Sequence, residues 1–281
     1  MMHSYEFFEP KTLTGFVKDK EVQAAVLELI NLPPDVIKNE AIKAEPKTKR
    51  YVITGTAFEL YLICRLYREF RKKCLNKINF EIFKQSAKPN KIWKEAWKKA
   101  HKEIEKYIEK EIDANDEFLK ALIVAANLMC LHRSGAQPLD INQAGPEELQ
   151  DLKNLMAITP WEKFKPKKYA FLSPQFKCHD SYVVSADGDL IIDDVLIDIK
   201  TVQRNDNKIL WCQLLGYYYL FHCRGLRASK AAAAKTHISS VGAYFSRHGI
   251  MQIADPNKFV KTIADKKENR KYISSIFLNE E

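Results

Sequence analysis

The chain has 281 residues, of which 46% are hydrophobic and 29% charged, a globular composition that excludes a disordered or collagen-like polymer. Lys and Arg outnumber Asp and Glu by 45 to 36, for a formal charge of +9; this favours anionic partners such as nucleic acid, although solubility alone also accounts for it. Six cysteines, at 64, 74, 130, 178, 212 and 223, include no CxxC pair, which excludes the usual zinc and iron–sulfur ligand spacings and reads as reduced thiols. Neither end reads as a signal peptide, and no apolar run reaches the ~18–20 residues of a membrane span. The expectation is a soluble, cytoplasmic protein without membrane contact.

Residues 1–50 read as an N-terminal flank, broken by Pro33-Pro34 and Pro46, with one amphipathic helix over Lys20–Ile30. From Thr54 to Lys73, Phe58, Leu62, Leu66 and Phe70 recur every four residues with no Gly or Pro after Gly55, which predicts a first core helix. Residues 84–160 read as a helical insertion. Within it, 91–131 form two helices, the first carrying Trp93, Trp97, Ala100, Ile104 and Ile108 along one side. Nine lysines face four glutamates between Lys84 and Lys110; such a surface can follow a phosphate backbone, but a solvated helix face is the simpler reading. A Pro138–Pro146 linker leads to a short helix over Glu147–Met156. Strands follow at Ser181–Val184, Asp189–Ile192 and Val195–Val202, rich in Val and Ile. A helix over Ile209–Cys223, an Ala-rich loop or helix over 228–234, and a hairpin of Val241–Phe245 with Ile250–Ala254 turning through Arg247-His248-Gly249 complete a catalytic-core stretch over 174–254, with 255–281 as a C-terminal flank. Helices first, then strands around one more helix, predict a single α/β or α+β domain.

The segment Asp187-Gly188-Asp189 to Asp198-Ile199-Lys200 carries the chemistry. If Asp193-Asp194 is a two-residue turn, Ile192 faces Val195, Leu190 faces Ile197 and Asp189 faces Asp198. Alternation then puts Lys200 on the same face as Asp198. Two opposed carboxylates repel at ~4.5–5.5 Å between Cβ atoms, so a cation is wanted between them. Mg²⁺ or Mn²⁺ fits, being held by one or two acids with water and substrate phosphate. Lys200 can then orient the attacking water and offset charge developing on a phosphate.

Gly188-Asp189-Leu190-Ile191 followed by Leu196-Ile197-Asp198-Ile199-Lys200-Thr201 resembles the signature hairpin of PD-(D/E)xK nucleases, and Gln213-Leu214-Leu215-Gly216-Tyr217 resembles the QxxxY helix motif of their RecB-type, exonuclease-like branch. The resemblance spans 54–73 and 174–254. It implies a restriction-endonuclease-like core, a central mixed β-sheet flanked by helices, that hydrolyses phosphodiester bonds, usually in DNA, with Mg²⁺ or Mn²⁺. It also implies Asp189, Asp198 and the Ile199 carbonyl as metal ligands, Lys200 as the catalytic lysine, and Gln213 and Tyr217 as residues that contact substrate or support the site. An extra acid from the first core helix would be Glu59.

Several assignments stay open at this level. Asp187 lies on the same face, opposite Lys200, and competes with Asp189 for the role of first acid; in a purely structural reading it pairs with Lys200. Thr56-Ala57-Phe58-Glu59 also fits a capping box, which would make Glu59 a helix cap. Tyr217 can equally be a core aromatic. The seven histidines form no HExxH, and neither a GxxxxGK[ST] loop nor a GxGxxG occurs, so nucleotide-driven chemistry is unsupported. The rival to a metal-dependent deoxyribonuclease is an inactive nucleic-acid-binding or scaffold protein on the same fold. The intact acid, acid and lysine set argues against it.

Overall fold

In chain order the elements are β1 (Lys11–Thr12), α1 (Leu13–Phe16), α2 (Lys20–Leu29), α3 (Tyr51–Phe70), α4 (Glu81–Ala87), α5 (Lys91–Ile108), α6 (Asp116–Ser134), α7 (Pro146–Ala157), β2 (Ala170–Leu172), β3 (Val183–Ser185), β4 (Leu190–Ile192), β5 (Val195–Lys200), α8 (Asn207–Arg224), α9 (Lys230–Lys235), β6 (Ser240–Phe245), β7 (Ile250–Ala254) and α10 (Pro256–Phe259). The computed structural model describes residues 11–134, 140–142, 144–178, 183–259, 261, 273 and 275–278. Ser181 of the expected first strand and Pro138 of the expected linker lie outside them.

A mixed α/β architecture results. Five strands pair in the order β2-β4-β5-β6-β7, and β1 pairs separately with β3. The β4–β5 ladder is antiparallel with Leu190 opposite Ile197, Ile191 opposite Leu196 and Ile192 opposite Val195, the register predicted from the Asp193-Asp194 turn. That turn contains no glycine, yet Asp193 adopts φ 56°, where a side chain is normally disfavoured. The compensation comes from its carboxylate, which accepts the backbone N–H groups of Lys168 at 2.6 Å and of Lys167 and Tyr169 at 3.1 Å. Burial works the other way, but these donors hold the Asp193 carboxyl below the usual range.

Alternation along the strands separates two hydrophobic cores. Leu190, Ile192 and Ile197 face the layer built by α3 to α7, with Phe58, Leu62, Leu66, Trp97, Ile104 and Phe118. Ile191 and Leu196, with Val241, Ala243 and Phe245 of β6, face α8, α1 and α2. Each fully buried side chain of this size contributes about 1.5–3 kcal/mol, so a one-residue slip of β5 would exchange both sets and is strongly resisted. Strand β6 runs parallel to β5, as the intervening α8 and α9 allow.

Two departures from expectation bear on the site. Helix α3 begins at Tyr51 rather than Thr54, because Thr48 Oγ1 accepts the Arg50 N–H and the Arg50 carbonyl accepts the Thr54 N–H. Thr56 is therefore inside the helix and not its cap, which removes the capping-box reading of Glu59. The residues from Lys11 onward are also more than a flank, since Leu13, Phe16, Val22 and Val26 belong to the core against α8. No described helix is long and apolar enough to cross a membrane.

Candidate active site

Asp198 and Lys200 share the parity of Leu196, so both project from the α8 side of the sheet at the C-terminal end of β5. Their charged groups meet there, with Lys200 Nζ 2.7 Å from Asp198 Oδ2. Asp198 is buried, and although the ammonium stands beside it, no donor points at its Oδ2 with hydrogen-bond geometry. Asp187, the alternative partner for Lys200, forms no ion pair with it. The chain before β4 turns away to bond residues 173–176, with the Ser173 N–H donating to the Asp189 carbonyl and the Gly188 N–H to the Pro174 carbonyl. Asp187 pairs with Gln175 there, and its side chain is exposed.

Asp189 stays with the site. Its carboxylate accepts the Ile199 N–H at 2.5 Å, which fixes it against β5 just beyond the last ladder pair. Within a strand the N–H and carbonyl of one residue project to the same edge, so the Ile199 carbonyl faces the Asp189 side, where the resemblance implies a ligand oxygen. The opposite edge is occupied, because the Lys200 carbonyl accepts the Ser246 N–H.

Glu59 arrives from the other layer. Gly55, one turn earlier on α3, sits so close to the end of β5 that a Cβ there would lie 3.2 Å from Thr201 Cβ. This close approach carries the helix past the strand end, where β4 no longer covers β5. Glu59 is thereby near enough to feel Asp198, Lys200 and the Arg133 guanidinium. Burial pushes its carboxyl up, Arg133 pulls it down, and Asp198 raises it again, with a net upward shift. The Asp189 carboxyl is raised well above the usual range by burial first, then by the charges of Glu59 and Asp198. For Lys200 burial opposes the ammonium, but Asp198, Asp189 and Glu59 outweigh it and hold the pKa above that of an ordinary lysine.

Helix α8 supplies the remaining polar groups. Asp206 caps it through the N–H groups of Lys208 and Ile209, and Gln213 lies buried on the face toward β5. Gln213 Oε1 accepts from Lys200 Nζ at 3.1 Å; its Nε2 donates to Tyr217 Oη at 3.0 Å and to Thr14 Oγ1 at 3.1 Å. The amide orientation is fixed because an ammonium only donates. Tyr217 Oη donates to the Asp187 carbonyl at 2.6 Å, while its ring stacks on Phe176 at 5.1 Å between centroids. Burial, then the nearby Asp198 and Asp189 charges, push the phenol well above its usual pKa, so it remains a neutral donor. Tyr217 is thus a core aromatic and a member of the site network at once.

Thr14 is the site residue that sequence reasoning missed. It reaches Gln213 because Gly216 admits α1: a Cβ on Gly216 would stand 2.6 Å from Leu13 Cδ1 and 2.9 Å from Phe277 Cε1. A glycine inside an apolar helix, which costs about 1 kcal/mol relative to Ala, was the available signal.

The donor set suits a hard divalent cation: the carboxylates of Asp189, Asp198 and Glu59 with the Ile199 carbonyl, all oxygen, and one buried carboxylate oxygen without a directed donor. Among the described residues no group of three or more His, Cys, Asp or Glu side chains forms a ready-made metal cage. Mg²⁺ does not require one, since it keeps several waters and is commonly held by one or two carboxylates and substrate phosphate. No family model, curated protein or solved structure matches the chain.

Proposed function

We propose that this chain is a metal-dependent nuclease of the PD-(D/E)xK type, with a restriction-endonuclease-like core, that hydrolyses phosphodiester bonds in DNA. The observation that carries the reading is the buried Asp198–Lys200 pair at 2.7 Å, with Gln213 on the ammonium and the Asp189 carboxylate bonded to the adjacent Ile199 N–H, and with the charge of Glu59 acting on the same groups. A cluster of this kind raises its own carboxyl pKa values and destabilises the metal-free fold. Such strain is concentrated at functional sites more often than at structural ones.

Asp189 and Asp198 would hold Mg²⁺ or Mn²⁺ with the Ile199 carbonyl, and Glu59 would reach it directly or through water. When bound, the cation supplies charge for the phosphate oxygens and acidity for a coordinated water. Lys200 has a separate task. Its ammonium, aimed by Gln213 and Asp198, donates to the attacking water or to a non-bridging phosphate oxygen and offsets the charge that grows there. Gln213 and Tyr217 keep that ammonium in one place, and a lysine fixed before substrate arrives loses little entropy at the reaction.

The test is incubation of purified protein with linear DNA, circular DNA and RNA in Mg²⁺, Mn²⁺ or EDTA, beside Asp198→Asn. Metal-dependent cleavage of DNA that the variant lacks is the expected result; cleavage equal in both proteins, or none with any metal, defeats the reading. The linear and circular arms separate exonuclease from endonuclease action.

A further inference from the structure

We infer that the first turn of α3 and the loop that follows β5 form a platform at the mouth of the candidate site for one unstacked base of the substrate strand, with Tyr51, Val52 and Val202 against the base and Arg133 and Arg204 on the flanking phosphates. This rests on the nuclease reading for the identity of the substrate, and it names what holds the strand beside the scissile bond.

Among the described residues six large hydrophobic side chains are exposed, and three of them flank a single contact. Tyr51 and Val52 are each 59% exposed and Val202 is 36% exposed, whereas Ile92, Val184 and Ile253 lie apart on α5, β3 and β7. The contact is the close approach of Gly55 to Thr201 at the end of β5. Tyr51 lies one helical turn before Gly55 and about 40° from it around the axis. Val52 lies two turns before Glu59 and about 20° from it, roughly 10 Å toward the open end. Val202 directly follows Thr201 on the strand side. Single apolar side chains at a surface need no explanation, but a group of them marks a contact surface. Among the described residues neither the ring nor the hydroxyl of Tyr51 has a partner.

Two uncommitted arginines border this surface. Helices α3 and α6 run antiparallel, since Arg68 near the end of α3 bonds Asp113 just ahead of α6, while Arg50 at its start bonds Asn127. Thr56 is hydrogen-bonded to Cys130, so Arg133, one turn further along α6, stands toward the first turn of α3. Its charge reaches Glu59. Arg204 is exposed in the loop four residues past Lys200. The arginines further along α3 are engaged, Arg65 with Glu69, Arg68 with Asp113 and Arg71 with Glu109; Arg133 and Arg204 make no ion pair among the described residues. A guanidinium meets a phosphate through two parallel N–H donors. A site that cleaves phosphodiesters must receive its substrate over the end of β5, between α3 and the 201–205 loop, so the nucleotides beside the scissile phosphate meet these side chains. A second copy of the chain would set the same arginines against one another. A base stacks on a protein ring only after losing one of its own stacking neighbours, so the contact forms at a strand end or an unpaired stretch and not within an intact duplex.

The experiment is fluorescence anisotropy on the full chain in EDTA, with a labelled duplex that carries a single-stranded overhang. It is displaced either by the same unlabelled duplex or by relaxed closed-circular duplex at equal nucleotide concentration. The wild type should prefer the overhang. Tyr51→Ala, at an exposed position where folding is not at issue, should weaken overhang binding about tenfold and binding of the circle little. Tyr51→Phe should keep most of the affinity, because the ring stacks and the hydroxyl does not. Arg133→Gln and Arg204→Gln should each take about 0.7 from the slope of log K against log salt. Unchanged binding by Tyr51→Ala, an equal loss in Ala and Phe, equal displacement by the circle, or no binding of either DNA by the wild type overturns the inference. Cleavage in Mn²⁺ measured alongside keeps the two ideas apart. A protein that cleaves while Tyr51→Ala binds as the wild type does defeats this inference alone, and Tyr51-dependent binding without cleavage in any metal defeats the nuclease reading alone.

Discussion

The turn after β6 and the end of β5 each carry one member of a buried ion pair, and the two pairs are built differently. Arg247 and Asp151 are sealed, with side chains 1% and 0% exposed. Both carboxylate oxygens are met by the guanidinium, which also donates to the Ala44 carbonyl, while the Arg247 carbonyl accepts the N–H groups of Lys43 and Ala44. Lys200 and Asp198 are 24% and 6% exposed, joined by one contact of 2.7 Å from the ammonium to Oδ2. The charges of two further acids, Asp189 and Glu59, act on this second pair. A fork that uses its donors on one carboxylate is a joint; an ammonium facing surplus acid is a site with capacity to spare.

The largest expected effect breaks the joint. Arg247→Ala leaves Asp151 charged and buried, which costs about 3–5 kcal/mol, read as a lowered urea midpoint with cleavage per folded molecule retained. Arg247→Met combined with Asp151→Leu should recover most of the midpoint, because replacing both members of a buried pair by apolar groups is often neutral. An unchanged midpoint in Arg247→Ala would show that the pair is not a joint. The same exchange at Lys200 and Asp198 has the opposite signature, a fold that survives and a reaction that does not.

Lys200→Ala sharpens that second half. It should lower cleavage by about 10²–10³ or more, the usual loss for one transition-state donor, while calorimetric Mn²⁺ binding persists, since a protonated lysine does not ligate metal. Lys200→Arg should rescue little, because the broad guanidinium fork does not fit the place of a compact ammonium against Asp198 and Gln213. Cleavage close to wild type in Lys200→Ala would leave the pair with no more than a structural role.

What the sequence made legible follows from local rules. The β4–β5 register came from one turn and period-two alternation, and it placed Asp198 and Lys200 together. Helix α5 was visible in its Trp and Ala stripe. Strand β2 was not, because three residues, Ala170-Phe171-Leu172, show no period; the seven-residue α4 was too short for the same reason. The capping box at Thr56 was a local pattern overruled when Thr48 and Arg50 started the helix earlier. Arg247 read as a hairpin turn residue, since its partner is 96 positions away, and Thr14 meets Gln213 across 199. Long-range polar partners leave no periodic trace in the chain.

Asp189→Asn tests the crowding itself through pH. A carboxyl whose folded pKa is raised contributes stability that is complete below the unfolded value, near ~4, and is lost as pH rises through the folded one. The Asp189 contribution to the stability of the metal-free wild type should therefore fall from acid toward neutral pH. Asp189→Asn should lose less, so its advantage in melting temperature grows with pH while cleavage is abolished. Mn²⁺ should narrow the gap by binding the ionised wild type. Asp187→Ala, outside the cluster, should alter neither quantity by much; a melting advantage for Asp189→Asn that is flat with pH would show that the acids do not interact.

The smallest effect tests how the open pair is aimed. Thr14 accepts one of the two hydrogens that Gln213 Nε2 donates, and Gln213 Oε1 receives the Lys200 ammonium. Removing the hydroxyl leaves that amide hydrogen to find water and lets the Gln213 side chain rotate, which a lost neutral hydrogen bond of about 0.5–1.5 kcal/mol would reflect. Thr14→Ala should then slow turnover about two- to tenfold at saturating DNA, with KM little changed, because the displaced group acts through Lys200 and not on substrate. Thr14→Ser, which keeps the oxygen and loses only a methyl, should restore most of the rate. If Ala and Ser slow the reaction equally, α1 matters through the packing of Leu13 against Gly216, and the hydroxyl has no part in aiming the lysine.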